Sequence, residues 1–110
     1  MEQPINFDNL RTITDGDPVL ESELFQVFLE SSQTCLKGLQ AACDVNDEGA
    51  WRREAHAFKG LCLNLGAEPL AVLCKTAQED CGALPDEKQA MLVAMKSELA
   101  RVQEIIASRL

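Results

Sequence analysis

The 110-residue sequence lacks several features that define large classes of protein. No apolar run approaches the roughly 20 residues that a membrane-spanning helix needs. Residues 1–4 lack the basic and apolar segments of a signal peptide. Neither a Walker loop (Gly-x-x-x-x-Gly-Lys) nor a glycine-rich nucleotide box is present. These absences predict a cytoplasmic protein that has no ATP-binding kinase site of its own.

Positive charge is scarce as well, since 10 basic residues stand against 18 acidic ones and the net charge is −8. A surface of this kind repels phosphate backbones and anionic lipids. We therefore expect neither a nucleic acid nor a membrane as a partner. With 46% apolar residues the chain is expected to fold, and its length suits one domain over residues 1–110.

Closely spaced cysteine pairs are missing, although the chain contains five cysteines. Structural zinc sites use such pairs, usually with histidine, and an odd number of cysteines without an export signal argues against a disulfide framework. Several of the cysteines lie on apolar helical stripes, where a thiol acts as a small hydrophobic side chain. We therefore predict reduced thiols in the core, with a metal or disulfide role as the less favoured alternative. The five are Cys35, Cys43, Cys62, Cys74 and Cys81.

The remaining pattern is helical, because glycine and proline divide the chain and no stretch alternates with the strand period of two residues. A short helix with Ile5 and Ile13 on its apolar face is predicted to end at Asp15-Gly16. Longer amphipathic helices are predicted over residues 17–43, 46–66, 68–82 and from 84 onward. Short connections of this kind favour an all-α, up-down antiparallel four-helix bundle with an additional short N-terminal helix.

The single histidine, His56, is predicted to lie on the outer face of the helix over residues 46–66. The helical period places it about 120° from the apolar stripe, while Arg53 points further round and is predicted to be solvated. The stripe contains Trp51, Ala55, Phe58, Cys62 and Leu65. The outer arc contains Arg52, His56, Lys59, Gly60 and Leu63. An imidazole that reaches solvent is partly neutral near pH 7 and can attack a phosphoryl group to form phosphohistidine.

The neighbours of His56 in this arc suit an anionic group. Lys59 and Arg52, each about one turn away, can place positive charge near phosphoryl oxygens. Gly60 costs the helix roughly 1 kcal/mol relative to alanine, and its position four residues after His56 leaves room for an approaching partner. Leu63 offers an exposed apolar docking contact. The alternatives are a surface histidine without function and, for Gly60, a tight contact between helices.

The segment Ala55-His56-Ala57-Phe58-Lys59-Gly60, followed by Asn64-Leu65-Gly66-Ala67, resembles the signature of histidine-containing phosphotransfer (HPt) domains. Members of that family are five-helix proteins built on a four-helix bundle, so the resemblance covers essentially the whole chain. It implies that His56 carries the phosphoryl group, that Lys59 stabilises it and that Gly60 provides clearance. Gln78 stands at the offset where members often place a polar residue, commonly glutamine, beside the histidine. Phe58 departs from the commoner leucine, a change expected to affect only packing.

The resemblance also implies partners. His56 would exchange its phosphoryl group with the aspartate of response-regulator receiver domains, and a hybrid sensor histidine kinase is the other expected partner. No cofactor is expected on this chain, because Mg²⁺ would arrive with the receiver domain. A monomer is expected, since a shuttle must keep its histidine face free. Two alternatives remain: an adaptor that binds or sequesters a response regulator without phosphorylation, and a hydrolase that uses His56 as a general base.

Overall fold

Helices account for the regular structure in residues 4–109, the part of the chain that the computed structural model describes. No strand occurs in this range, so the predicted all-α class is confirmed. The five helices are α1 (Asp8–Thr14), α2 (Pro18–Asp44), α3 (Glu48–Leu65), α4 (Glu68–Glu79) and α5 (Pro85–Arg109). None of these helices combines the length and the apolar composition needed to cross a membrane.

The helices begin and end where the sequence supplies capping groups. The Asp17 side chain accepts hydrogen bonds from the first backbone N–H groups of α2, and Pro18 occupies the first helical position. The Asp47 side chain accepts a hydrogen bond from the N–H of Ala50 at the start of α3. Gly66 ends α3 in the left-handed conformation, with φ of 91°. Local chemistry therefore sets the bounds of α2 and α3.

Three expectations from the sequence are wrong at the level of single residues. Ile5, predicted on the apolar face of the first helix, precedes α1, which begins at Asp8, although its side chain is buried. Helix α4 ends at Glu79 rather than at Gly82, because the chain turns there and the N–H of Ala83 donates to the carbonyl oxygen of Asp80 at 2.9 Å. Ile13, predicted on an apolar face turned to the core, is 52% exposed. Helix α1 has only seven residues and packs against α2 and α3 on one side, so it cannot bury every apolar side chain that it carries.

The four long helices pack side by side around one core. Helices α2 and α4 each contact both α3 and α5, while α1 rests on α2 and α3. No member of the apolar stripe predicted for α3 is more than 4% exposed: Trp51, Ala55, Phe58, Cys62 and Leu65. Burying aromatic and aliphatic side chains of this size contributes about 1.5–3 kcal/mol each. The Trp51 indole N–H donates to the carbonyl oxygen of Ala77 at 2.8 Å, which joins the start of α3 to the end of α4.

Polar contacts tie the ends of other elements together. Glu21, at the start of α2, accepts hydrogen bonds from the guanidinium group of Arg109 at the end of α5. The backbone N–H of Asn6 donates to the carbonyl oxygen of Gly66 at 2.7 Å, and a Cβ at position 66 would overlap the carbonyl oxygen of Asn6. Glycine at this position therefore lets the N-terminal segment lie across the end of α3.

All five cysteines are free thiols, as predicted; four are buried and Cys81 is partly exposed. Burial raises the pKa of the Cys35 thiol to about 11, and electrostatic interactions with Glu54 and Cys74 add to this effect. A hydrogen bond to Cys74, together with burial, raises the pKa of Cys62 well above its usual range. Cys35 and Cys62 therefore stay protonated at neutral pH and act as packing groups.

Candidate functional site

His56 is an exposed side chain in the middle of α3, as the helical period predicts. It lines a shallow groove of about 490 Å³ together with Gly49, Arg52, Arg53 and Gln78, which we name the basic groove. No carboxylate is among these lining residues. Within residues 4–109, no ion pair involves either arginine. Two uncommitted guanidinium groups therefore share the groove with an exposed imidazole.

Arg53 and Gly49 also line the basic groove. Arg53 is exposed, as predicted, but the sequence analysis did not place either residue at the site. The Nη1 atom of Arg53 lies 3.4 Å from the point that a Cβ of Gly49 would occupy. A long side chain on a helix reaches back toward the N-terminus and covers the residue about four positions earlier. The sequence signal for this pair is a glycine followed four residues later by an arginine. It lies near the start of α3, which Asp47 caps.

Gln78, on α4, lines the basic groove beside His56, where the family resemblance placed it. Its Oε1 atom is buried and has no hydrogen-bond partner among the described residues. Leaving a buried polar atom without a partner costs roughly 1–3 kcal/mol. The Gln78 oxygen is therefore an unused hydrogen-bond acceptor that lies beneath the surface of the groove.

Lys59 and Leu63 line a neighbouring groove rather than the basic groove. The other residues of that second groove are Glu68, Ala71, Val72 and Lys75. Lys59 is partly exposed, and Leu63 is 55% exposed. The structure thus divides the predicted site residues between two grooves along α3. His56, Arg52 and Gln78 meet in the first, and Lys59 and Leu63 meet in the second.

Gly60 faces open space. A Cβ built at this position would have no atom of another part of the protein within 4 Å. That finding excludes a tight contact between helices as the reason for a glycine here. Glycine in a helix costs roughly 1 kcal/mol relative to alanine, and no contact within the described residues accounts for that cost at this position.

An apolar groove adjoins the outer face of α3 on the side of α1 and α2. It encloses about 350 Å³ and is lined by Leu10, Ile13, Leu24, Val27, Phe28, Leu61, Asn64 and Leu65. Ile13 is 52% exposed and Val27 is 56% exposed. Asn64 belongs to the exposed surface of α3 one turn after Gly60, so this groove continues the surface that carries His56. Three helices contribute to it, which is why no single helical pattern predicted it.

Metal-ligating side chains are dispersed over the part of the chain that the structure describes. No group of three or more His, Cys, Asp or Glu side chains that could hold a metal ion occurs there. The cationic side chains of Arg52 and Arg53 line the basic groove together with His56. The chemistry of the basic groove is therefore that of an anion-binding surface.

Comparisons with known proteins identify the family. The family model of the Hpt domain matches residues 23–105. The chain belongs to the Hpt domain family. A crystal structure of histidine-containing phosphotransfer protein B (HptB) from Pseudomonas aeruginosa PAO1 is similar to this Hpt chain, with a TM-score of 0.87 and 26% sequence identity. The match covers 99% of this chain and 96% of that one. No curated protein sequence matches this Hpt chain.

Membership of the Hpt family confirms the resemblance drawn from the segment around His56. Hpt proteins are histidine phosphotransfer proteins of two-component signalling, phosphocarriers rather than kinases. They interact with receiver domains and kinases in phosphorelays. The family match spans α3 and α4, so every residue of the basic groove lies within it.

Proposed function

We propose that this Hpt protein is a phosphorelay carrier in which His56 accepts the phosphoryl group of a receiver-domain aspartate and passes it to a second receiver. The observation that carries the proposal is the exposed His56 ring in a groove with two unpaired guanidinium groups and no carboxylate. The positive wall of this groove favours the approach of a phosphoryl group.

The proposed carrier acts as one domain over residues 1–110, as a monomer in the cytoplasm. Its four long helices run in up-and-down antiparallel order. Two contacts support that order, because the start of α3 meets the end of α4 and the start of α2 meets the end of α5. A monomer keeps the outer face of α3 free for its partners.

The transfer step is a nucleophilic displacement at phosphorus. The lone pair on the neutral Nε2 of His56 forms an N–P bond, the P–O bond to the receiver aspartate breaks, and the electron pair leaves on the aspartate carboxylate. The proton on Nδ1 stays on the ring, so no further reactant is consumed. Transfer to the second receiver is the same reaction in reverse. Phosphoryl transfer depends on positioning and charge stabilisation, which a rigid helix face with nearby cations can supply.

Four neighbours assist His56 in this proposal. Lys59, about one turn further along α3, stabilises the phosphoryl oxygens through its ammonium group. Arg52, about one turn earlier, adds a second cation from the basic groove. Gln78, on α4, supplies a polar contact through its amide N–H group, which can donate to a phosphoryl oxygen. Gly60 leaves the surface beside the ring clear for the receiver.

The receiver domain packs on both sides of the outer face of α3. Leu63 lies on one side, and the apolar groove with Ile13 and Val27 lies on the other. Exposed apolar groups around a polar centre mark a surface that a protein partner can cover. Because Asn64 joins the apolar groove to the surface near His56, one docked domain can contact both.

No cofactor on this chain is part of the proposal. Mg²⁺ arrives with the receiver domain, whose acidic side chains hold it. The phosphoryl group enters the relay from a hybrid sensor histidine kinase, and this chain is a phosphocarrier without its own kinase site. Neither nucleic acid nor membrane takes part, in keeping with the net charge of −8.

Incubation with a panel of phosphorylated receiver domains and Mg²⁺ tests the proposal. We expect acid-labile, base-stable phosphate on His56, located by mass spectrometry, and none in the His56→Gln variant. Lys96→Gln, a change at an exposed position of α5, is the matched control and should keep full uptake. The adaptor alternative predicts that a receiver binds both the parent and His56→Gln while the parent takes up no phosphate. Turnover of generic phosphoesters would identify a hydrolase instead.

A further inference from the structure

Arg53 contributes to the positive charge of the basic groove but has no assigned contact in the transfer step. It is exposed and lines the basic groove, and no ion pair involves it within residues 4–109. By contrast, both arginines of α5 are paired, Arg101 with Glu98 and Arg109 with Glu21. An unpaired guanidinium group in a chain of net charge −8 is open to a negatively charged partner.

A glycine fixes where the guanidinium group of Arg53 lies. Its Nη1 atom is 3.4 Å from the point that a Cβ of Gly49 would occupy, so the group rests against bare backbone. A carboxylate oxygen, Oδ1 of Asp47, lies 3.6 Å from that same point. This oxygen already accepts the N–H of Ala50 as the cap of α3 and forms no ion pair with Arg53. The charge of Arg53 therefore stays free although an acidic residue is close.

The guanidinium group of Arg53 lies against Gly49, on the N-terminal side of Arg53 along α3, whereas His56 is on the C-terminal side. Gly49 precedes His56 by seven residues, which corresponds to about 10 Å along a helix axis. Arg53 therefore reaches toward the end of the basic groove that is remote from a phosphoryl group on His56. A charge at that place meets the surface of a protein docked over the groove.

We propose that Arg53 is a specificity-determining residue that pairs with a carboxylate on the docked receiver domain, at the end of the basic groove near Gly49. The inference rests on the proposed function, because it requires a receiver that docks over His56. Such a pair speeds encounter and disfavours partners that carry positive charge at the facing position. Arg53 thus acts on receiver binding and not on the chemical step.

Transfer kinetics with the receiver domain that exchanges phosphate fastest with the parent test this role. Arg53→Glu is expected to raise KM by roughly tenfold at low ionic strength while kcat is unchanged. Lys96→Glu makes the same charge change at an exposed position of α5, outside the residues that line the basic groove, and should alter neither constant. Arg53→Lys keeps the charge and should recover most of the affinity. The difference between the two glutamate variants should shrink at high salt, because salt screens exposed charges.

Calorimetric titration of the same unphosphorylated receiver into His56→Gln protein separates docking from transfer. Adding Arg53→Glu to that background should weaken Kd by roughly tenfold. Equal KM values for Arg53→Glu and Lys96→Glu, or a lower kcat at unchanged KM, would overturn the role of Arg53 while the carrier function stands. A different outcome is that the parent binds the receiver without taking up phosphate, while Arg53→Glu still weakens that binding. This result would overturn the carrier function and support the role of Arg53. If the parent protein binds no receiver, both the carrier function and the role of Arg53 are contradicted.

Discussion

The two faces of α3 differ in how many of their side chains are packed or paired within the protein. On the inner face Trp51 and Phe58 are fully buried, and the Trp51 indole N–H has a hydrogen-bond partner on α4. On the outer face Arg53 has no ion pair within the described residues, and the space beside Gly60 is empty. Across the basic groove, Gln78 keeps an unpartnered amide oxygen. The inner face packs its aromatic side chains within the protein, whereas the outer face leaves positive charge and open surface exposed.

This difference shows that residues of one helix can serve stability or function according to their angular position around the helix axis. Phe58 and His56 are only two residues apart, yet two steps of about 100° turn them to opposite sides of α3. Changes on the inner face should therefore lower stability and leave the chemistry of the folded protein intact. Changes on the outer face should alter phosphoryl transfer and leave the stability of the fold almost unchanged.

The largest effect is expected from Phe58→Ala. This substitution removes a fully buried ring from the core and should lower the free energy of unfolding by about 3–5 kcal/mol. Urea denaturation followed by circular dichroism measures that loss. Molecules that remain folded should accept a phosphoryl group at the parent rate, because the ring does not reach the outer face. Slower uptake per folded molecule would show that the two faces are coupled.

Val27→Glu extends the comparison from the outer face of α3 to the apolar groove beside it. Val27 is 56% exposed, so a carboxylate there costs little stability, but it places charge where the receiver is proposed to pack. We expect KM for transfer to rise roughly tenfold, which corresponds to about 1.4 kcal/mol of docking energy. Val93→Glu, at a position 60% exposed on α5, is the matched control and should leave KM unchanged. Equal KM values would remove the apolar groove from the docking surface.

Patterns local to the sequence predicted more of the fold than of the site. Asp17, Asp47 and Gly66 each bound a helix through contacts within a few residues, and such contacts can be read along the chain. The error at the end of α4 falls at Glu79, in a turn whose path depends on how the chain reaches α5. Sequence periodicity carries no information about that path.

The orientation of His56 was predictable because it follows from the period of a single helix, and the family resemblance supplied its role. The division of the site into two grooves was not predictable. It depends on where α4 lies, with Gln78 reaching the basic groove and Lys59 the neighbouring one. The exposure of Arg53 was predicted, but its place in the basic groove was not, because its guanidinium group reaches back to Gly49 and the helical period describes only the direction of the Cα–Cβ bond.

The buried thiol of Cys35 should make the free energy of unfolding depend on pH, an effect of the apolar interior and not of the outer face. Burial raises the pKa of this thiol from 9.0 to about 11. A folded-state pKa above the unfolded value gives stability that is present below about pH 9 and is lost as pH rises through 11. The free energy of unfolding should fall over this window, by at most about 1.4 kcal/mol per pH unit for one proton. The fall should be shallower in Cys35→Ala than in the parent, and parallel curves would contradict this account.

The smallest effect on stability is expected from replacing glycine by alanine inside a helix, at Gly38 on α2 or Gly60 on α3. A Cβ at Gly38 would lie 2.6 Å from Cδ of Glu54, so alanine there must displace the Glu54 side chain, whereas a Cβ at Gly60 meets nothing within 4 Å. Gly60→Ala should therefore gain up to about 1 kcal/mol in the free energy of unfolding, and Gly38→Ala should gain less. Transfer should respond in the opposite way, slowing only in Gly60→Ala, because the added methyl group occupies the clearance beside His56. Urea denaturation and receiver transfer on both variants measure the two effects, and equal transfer rates would mean that the open surface at Gly60 is not used by the partner.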